Sequence, residues 1–359
     1  MDAERWEHGS EFHWPITSDD SPGTLASAPW QRDGSVLLGC GRDALRLLID
    51  HGRRVHHWSR LWVPSYMCQH VVETLVETGI ECVLYQDAPH WTRPDLATLE
   101  PRSSDAVLVV NYFGLRDRGA LEGLALQGAA LVVDHTHDPL SEWALGGDAD
   151  YALASLRKTL PIPEGGVLWS PAGHPLPETP ELTMQRSAAL EAKRESMALK
   201  GRYLSGEPVE KSVYRTLASE GETAMAQGPI SGLSPETLLT LEALPVGRWR
   251  TLRARNFATL VESVGEARGL SILAPEGQGC PFSAFLIFDE PEVRNRVRQI
   301  LIENACYPAI LWPLEHSVLS GVPREHRTLA DRSLSVHCDM RYGDEDMRRV
   351  AALILEGLT

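Results

Sequence analysis

The sequence AALVVDHTHD at residues 129–138 joins a run of apolar residues to a carboxylate. The run at residues 129–133 shows no alternation of apolar and polar side chains, which predicts a strand buried on both faces. Such strands are typical of parallel sheets that are covered by helices. The run VLVV at residues 107–110 is of the same kind. We therefore predict that both runs belong to one buried parallel sheet.

Short apolar runs alternate with amphipathic stretches on both sides of this segment. The stretches at residues 43–51 and 69–78 have the apolar spacing of helices with one buried face. Alternation of strands and helices predicts an α/β fold with a large, doubly wound, mostly parallel (mixed) sheet. The candidate strands of this sheet are residues 61–63, 82–84, 106–110, 129–133, 151–154 and 166–169.

Three parts of the chain are predicted. Residues 1–34 lack a sustained period, and Trp6, Trp14 and Trp30 favour an arm packed across a neighbouring subunit over a frayed end. Residues 35–245 form the large domain, which ends in a charged helix and a Gly-rich polar stretch. Residues 246–359 form a smaller C-terminal α+β domain, with candidate strands at residues 282–288, 309–312 and 334–337.

Composition excludes several classes of protein. The 359 residues are 43% hydrophobic and 23% charged, which is typical of a soluble globular chain. A net charge of −15 argues against a nucleic acid or an anionic membrane surface as the main partner. No apolar run approaches the roughly 20 residues that span a bilayer. The N-terminus lacks an apolar signal core and the six cysteines form no CxxC pair, so we expect a cytoplasmic protein.

Lys158 lies in the segment DYALASLRKTLPIPEGGVLW at residues 150–169. It follows a buried strand, and in doubly wound sheets ligands bind beyond the carboxyl ends of the strands. Apolar neighbours would desolvate its amine, which lowers the pKa of a lysine and allows it to form a Schiff base. Lys158 is one of only four lysines among 34 basic residues. The alternative is a surface lysine.

Asp134 ends the neighbouring strand and faces the same crevice. A buried carboxylate needs a cationic partner, which a protonated pyridine nitrogen would supply. A lysine for the aldehyde and an aspartate for the ring nitrogen are the pair that pyridoxal 5'-phosphate (PLP) requires. The alternative role of Asp134 is that of a helix N-cap. In the segment VLLGCGRDALRLL at residues 36–48, a turn of small residues opens a helix whose free N–H groups could bind a phosphate.

The order of these pieces resembles the fold type I PLP enzymes of the aspartate aminotransferase type. More narrowly, it is similar to the DegT/DnrJ/EryC1/StrS sugar aminotransferase family. The resemblance covers roughly residues 35–170 and returns near the C-terminus. Its motifs are the small-residue turn, VPSY at residues 63–66, Asp134 with His137, Lys158 followed by EGG at residues 164–166, and WPLEH at residues 312–316.

The resemblance implies roles for single residues. Lys158 would form the internal aldimine and move the proton, Asp134 would pair with the pyridinium nitrogen, and His137 would lie near the ring oxygen. Phosphate would be held by Gly41, Arg42 and Ser155, with added charge from Arg157. A homodimer is implied, because partner residues normally complete such sites. Apart from the resemblance, Asn111, His316 and Arg341 are predicted to contact the substrate, and a role in folding is the alternative for His316 and Arg341.

The chain departs from the family pattern at several positions. Cys68 stands where an aromatic ring usually stacks on the cofactor, so that stacking is weakened or supplied by Tyr66. Arg42 replaces a usual Thr, and NYFG at residues 111–114 replaces a typical His-Leu-Tyr-Gly. These changes leave PLP as the expected cofactor and put the usual nucleotide-sugar substrate in question.

The predicted function is PLP-dependent amino transfer from a small-molecule donor such as Glu or Gln to a keto-sugar or a small keto biosynthetic intermediate. Elimination, dehydration, decarboxylation or C–C cleavage on the same fold is the alternative. Less favoured are an inactive paralogue and a metal hydrolase built on residues 134–138, and we assign no metal ligand. The arginines between residues 248 and 255 are interpreted as a solvated helix face, with substrate phosphate binding as the alternative.

Overall fold

A computed structural model describes residues 5–15 and 27–359. Strands and helices are numbered along the chain. The strands are β1 (His8–Gly9), β2 (Val36–Leu38), β3 (Arg60–Pro64), β4 (Glu81–Tyr85), β5 (Asp105–Val110), β6 (Ala130–Asp134), β7 (Tyr151–Ser155), β8 (Gly166–Trp169), β9 (Leu270–Ile272), β10 (Ser283–Phe288), β11 (Cys306–Tyr307) and β12 (Ser333–His337). The helices are α1 (Gly41–Val55), α2 (Gln69–Glu77), α3 (Glu142–Gly146), α4 (Met184–Leu204), α5 (Lys211–Gln227), α6 (Pro235–Ala243), α7 (Val246–Val264), α8 (Pro291–Glu303), α9 (Arg324–Asp331) and α10 (Asp344–Leu358).

A seven-stranded sheet with the order β2-β8-β7-β6-β5-β3-β4 forms the centre of the large domain. Strands β3 to β7 are parallel to their neighbours, whereas β8 pairs antiparallel with β7 and β2. All six residues of β5 are buried, as the absence of polar alternation in that run predicts. The prediction of a mostly parallel, mixed α/β sheet is confirmed. Its parallel order places the carboxyl ends of β6 and β7 side by side.

A three-stranded antiparallel sheet, β12-β10-β9, forms the smaller C-terminal unit. Helices α7, α8 and α10 contribute to its apolar core, in which Leu260, Val297 and Ile354 are fully buried. This unit has the α+β character that the sequence predicts. The predicted boundary near residue 245 stays a prediction, although α7 begins at the next residue.

Two elements of the chain differ from the sequence interpretation. The polar stretch after α4 contains helices α5 and α6, and Gly221 lies where α5 packs closely on α4: a Cβ at this position would lie 2.6 Å from Cγ of Lys193. Residues 309–312 do not form a strand, and only Ala309 makes an isolated bridge, to Ser335. Pro308 and Pro313 flank this segment, and proline cannot donate to a strand ladder.

The described part of the N-terminal arm contacts its own chain. Trp6 donates from Nε1 to Asp346 Oδ1 at 2.6 Å, and Trp14 donates to the Pro161 carbonyl at 2.7 Å. Strand β1 pairs in parallel with β11. Trp6 and Trp14 therefore pack against their own chain, and packing of the arm across a neighbouring subunit stays a prediction. In the described residues no helix is long and apolar enough to cross a membrane.

Candidate functional site

Lys158 lines a cavity of about 360 Å³ beyond the carboxyl end of the sheet. The chain leaves β7 at Ser155 and makes one tight turn, residues 156–158, that directs the lysine into this space. Burial within the protein lowers the pKa of Lys158, and the adjacent Arg157 guanidinium lowers it further. The amine makes no hydrogen bond or ion pair with a described residue. It is therefore held as a nucleophile that faces an open volume.

Asp134 lines the same cavity from the last position of β6. Its carboxylate accepts a hydrogen bond from the Thr136 backbone N–H at 2.8 Å. Burial raises the pKa of Asp134, because the charged form has lost water. No cation among the described residues forms an ion pair with it. This carboxylate fits a ligand that brings its own positive charge.

His137 forms part of the same wall beside Phe282 and Trp312. Its Nδ1 accepts a hydrogen bond from the Phe113 backbone N–H at 3.2 Å, which leaves the proton on Nε2. Burial lowers the pKa of His137 to about 3, and repulsion from Lys158 acts in the same direction. The ring is therefore neutral near pH 7 and can donate one hydrogen bond to an oxygen in the cavity.

The start of α1 forms the opposite end of the cavity, where Gly41, Arg42 and Ser155 are gathered. The first N–H groups of a helix have no partner within the helix. In α1 the N-cap residue, Cys40, does not accept a hydrogen bond from them with its side chain either. Gly41 is required for the close approach, since a Cβ there would lie 2.8 Å from Cβ of Ser155. Free N–H groups at a helix start suit a phosphate.

Glu222 on α5 joins three cations at this end of the cavity. It accepts from Arg157 at 2.7 and 2.9 Å, from Lys193 at 3.1 Å and from Arg42 at 3.3 Å. These cations, the Arg157 guanidinium first, hold the pKa of Glu222 far below its usual range. The cluster carries a net charge of +2, so it can still compensate an added phosphate. The sequence analysis missed both Glu222 and Lys193, since nothing in the local pattern distinguishes them from surface charges.

The predicted ring-stacking residue is not placed for that role. Tyr66 is fully buried outside the cavity and donates its hydroxyl to the Leu311 carbonyl at 2.7 Å. Cys68 lies in the cavity wall next to Met67, and the aromatic residues of this wall are Phe282 and Trp312, to which the sequence analysis gave no stacking role. Trp312 opens the WPLEH motif, but the motif alone does not indicate that this ring lines the cavity.

The residues predicted for substrate contacts are separated. Asn111 is buried outside the cavity, and its Oδ1 accepts from the Arg116 backbone N–H. His316 is exposed and lies outside the cavity wall. Arg341 lines an adjoining cavity, but its guanidinium is already bound at 2.8 Å to both carboxylate oxygens of Asp339. Of the three, only Arg341 lies near Lys158.

The side chains of residues 134–138 diverge. His135 packs edge-on against Trp143 and stacks on Trp169, whereas Asp138 receives both arms of Arg250 at 2.8 and 2.9 Å. Residues 5–15 and 27–359 contain no group of three or more His, Cys, Asp or Glu side chains arranged to hold an ion. The geometry therefore offers no support for the metal hydrolase alternative.

The arginines of α7 do not form a uniformly solvated face. Arg250 pairs with Asp138, and Arg255, with a half-exposed side chain, pairs with Asp344. Arg253 lies between them in sequence and is only 4% exposed. Its burial corrects the interpretation of this stretch as a solvated surface.

The cavity fits PLP in its volume and in the chemical groups of its wall. The cavity has the size of small-molecule sites, which are usually about 300–1,000 Å³. It combines an unpaired amine, a buried carboxylate without a cation, a neutral histidine and free helix N–H groups. The amine suits the aldehyde of PLP, and the carboxylate suits its pyridinium nitrogen. The histidine suits the ring oxygen, and the helix N–H groups suit the phosphate.

Comparisons with known proteins place the fold. No protein-family model matches the chain, and no curated protein matches it either. Among solved structures, PseC of Helicobacter pylori, an aminotransferase of pseudoaminic acid biosynthesis, is 11% identical with a TM-score of 0.65 over 98% of this chain and 99% of that one. DesI, solved in the presence of its TDP-sugar product, is 19% identical with a TM-score of 0.60 over 93% of this chain and 83% of its own. The PLP form of the sugar aminotransferase Spr1654 of Streptococcus pneumoniae is 12% identical with a TM-score of 0.62, covering 96% and 93%. The chain therefore has the fold type I architecture that these aminotransferases share.

Proposed function

We propose that this chain is a PLP-dependent aminotransferase, with Lys158 as the amine that binds the cofactor covalently. One observation carries the proposal: Lys158 and Asp134, which follow or end neighbouring parallel strands, line one cavity, and neither forms an ion pair with any residue that the structure describes. The shared fold with solved aminotransferases supports the same function. The resemblance in the ordered motifs of residues 35–170 points the same way.

The cavity residues would hold and orient the cofactor. When bound, PLP supplies an aldehyde that accepts an amino group and a ring that withdraws electrons. Asp134 would keep a proton on the ring nitrogen, because its carboxylate forms no ion pair with a cation in residues 5–15 or 27–359. His137 would donate its Nε2–H to the ring oxygen. Gly41, Arg42 and Ser155 would bind the phosphate, and Arg157 would add positive charge.

Lys158 would also move the proton during the reaction. Its lowered pKa increases the neutral fraction near pH 7, and a neutral amine can accept a proton from carbon. Its position on a tight turn after β7 keeps the amine within the cavity. The hydrophobic residues Phe282, Leu311 and Trp312 line the cavity into which this solvent-exposed side chain reaches.

We propose an amino acid such as Glu or Gln as the donor and a keto-sugar or a small keto biosynthetic intermediate as the acceptor. DesI was solved with a TDP-sugar product and PseC acts in pseudoaminic acid biosynthesis, and both share this fold. A homodimer and a cytoplasmic location complete the proposal. The homodimer follows from the family resemblance, in which a partner subunit completes the site.

Reductive trapping tests the role of Lys158. The protein is loaded with PLP, reduced with borohydride, digested and analysed by mass spectrometry. We expect the cofactor on Lys158 alone among the chain's four lysines. The Lys158→Ala variant should lose both the label and the visible absorbance band, whereas Lys211→Ala should keep both. Labelling of another lysine, or no labelling in wild-type protein, would contradict the proposal.

The class of reaction is tested separately with single donors. In transamination, one equivalent of L-glutamate or L-glutamine yields one equivalent of keto acid and leaves the cofactor in its amine form. Elimination and decarboxylation instead regenerate the starting absorbance band. Retention of the band together with consumption of the amino acid would favour these alternatives over amino transfer.

A further inference from the structure

A second cavity of about 500 Å³ adjoins the cofactor site. It reaches the arm at residues 10–12 and the small unit at residues 335–341. The residues that line both cavities form a junction between them: His70, Arg157, Lys158, Glu222, Phe282 and Leu311. A substrate in the second cavity therefore meets the Lys158 amine at this junction.

Two of the titratable side chains at the junction are without a partner. Arg157 and Glu222 bind each other at 2.7 and 2.9 Å. The His70 ring and the Lys158 amine make no hydrogen bond or ion pair with residues 5–15 or 27–359. The junction therefore has two basic groups that are available to exchange protons with a ligand.

The fold does not use the His70 ring for packing. His70 is the second residue of α2, whose buried residues are Val72, Thr74 and Leu75. Its side chain is exposed, and its carbonyl accepts a hydrogen bond from the Thr74 hydroxyl at 2.8 Å. Helix α2 follows the parallel strand β3, so His70 lies at the same edge of the sheet as Lys158. Its position thus presents the ring to the junction and leaves it no role in the core.

We infer that His70 is a catalytic acid–base residue that acts on the oxygen of the keto substrate, an inference that rests on the proposed function. When nitrogen is transferred to a keto compound, a C=N bond forms and the C=O bond breaks. Both electron pairs of the C=O bond stay on the oxygen, which leaves as water. That water takes one proton from the attacking amine and one from protonated His70, since an imidazole gives and takes protons near neutral pH.

The donor half of the reaction runs the same step in reverse. Water attacks the C=N carbon, neutral His70 accepts one of its protons, and the keto acid is released. The proton that His70 gives in one half of the cycle is therefore recovered in the other half. The reacting carbon must lie beside Lys158 in both halves, and His70 lines the same junction.

A separate acid is needed because Lys158 serves as the base at the reacting carbon. Desolvation lowers the pKa of Lys158, and the Arg157 charge lowers it further, which favours the neutral amine. His137 is not suited to be this acid, since desolvation lowers its pKa to about 3 and the ring is neutral near pH 7. His70 is the histidine that lines both cavities.

Histidine labelling tests the position of His70 without turnover. Diethyl pyrocarbonate modifies accessible histidines, and mass spectrometry measures the label on His70 and on His57. The protecting ligands are the phosphopyridoxyl conjugates of L-glutamate and L-glutamine, whose binding is first measured by equilibrium dialysis. A bound conjugate should protect His70, whereas His57 is exposed before β3, at the opposite edge of the sheet, and should keep its label. No binding of either conjugate would reject the proposed function, and binding that leaves the His70 label unchanged would reject only this inference.

Chemical rescue tests the acid–base role. In PLP-loaded protein, His70→Ala should slow a single turnover with L-glutamate or L-glutamine by about 100- to 10,000-fold, the usual contribution of a general acid or base. Free imidazole should restore part of the rate in this variant and leave wild type unchanged. The variant should melt like wild type, because the His70 side chain is exposed. His57→Asn, which suits the positive φ of 58° at that position, is the control and should keep the wild-type rate.

Two results would overturn the acid–base role. One is a wild-type rate in His70→Ala, and the other is a reduced rate that imidazole does not raise. Trapping of PLP on Lys158 together with either result would reject only this inference. Failure of wild-type protein to trap PLP would instead reject the proposed function.

Discussion

The carboxylate of Glu222 receives both arms of the Arg157 guanidinium, at 2.7 and 2.9 Å. This pair connects α5 to the turn that carries Lys158, and it draws in Arg42 and Lys193 as well. Glu222 thereby keeps three cations together beside the start of α1. Without it, their mutual repulsion would oppose the closure of this end of the cavity.

Glu222→Gln should lower the free energy of unfolding by about 1–2 kcal/mol. This loss is smaller than the roughly 3–5 kcal/mol typical of breaking a fully buried ion pair, because the Glu222 side chain is 39% exposed. The freed cations should bind an external anion more strongly. Millimolar inorganic phosphate should therefore raise the melting temperature of the variant more than that of wild type. Glu220→Gln, on the exposed face of the same helix, serves as the control. An equal response to phosphate in all three proteins would show that the cations are not available to an anion.

Gly41→Ala should separate α1 from β7. The added methyl group would lie 2.8 Å from Cβ of Ser155 and 3.2 Å from its Cα, closer than packed atoms tolerate. We expect a loss of about 1–3 kcal/mol in unfolding free energy, typical of overpacking, and weaker PLP binding in equilibrium dialysis. Gly146→Ala is a matched control, since no atom lies within 4 Å of the Cβ it adds. Wild-type stability and PLP affinity in Gly41→Ala would refute the close approach.

Asp134→Asn should have opposite effects on stability and on cofactor binding. Without cofactor, the variant removes a buried carboxylate that has no cation, so at pH 7 it should melt at or above the temperature of wild type. With PLP, it should bind about 10- to 100-fold more weakly, because a charge-assisted hydrogen bond to the ring nitrogen is lost. Thermal melting with and without PLP measures both effects. A variant that binds PLP as tightly as wild type would exclude Asp134 as the partner of the ring nitrogen.

His135 should make stability depend on pH in mild acid. Burial lowers the pKa of His135 to about 3, while an unfolded histidine titrates near 6.5. Between these values the unfolded chain binds the extra proton, so stability falls as the pH falls from 6.5 towards 3, by about 1 kcal/mol per pH unit. His135→Phe should therefore reduce the slope of unfolding free energy against pH in this window. Urea titrations at several pH values measure that slope, and His316→Gln is the control for loss of an exposed histidine. Parallel slopes for wild type and His135→Phe would contradict the prediction.

The sequence by itself determined the α/β fold, and it predicted Asp134 and Lys158 as the two principal site residues. Runs without polar alternation identify strands buried on both faces, and residues that end such strands in a parallel sheet must meet at one edge. Asp134 and Lys158 follow from this rule, although 24 residues separate them. Gly41 and Ser155 were predicted only through the family resemblance, and the structure brings them together because the start of α1 meets the end of β7.

Only the tertiary structure decided which charges and rings surround these two residues. Glu222 lies 65 positions from Arg157, in a region that the sequence indicated only as a Gly-rich polar stretch, and Arg253 lies 94 positions from its Thr159 partner. The orientation of Tyr66 away from the cavity depends on a carbonyl 245 positions away. Such contacts depend on how whole helices and the small unit pack against the sheet. Periodicity records which face of an element is buried, but it carries no information about the partner that buries it.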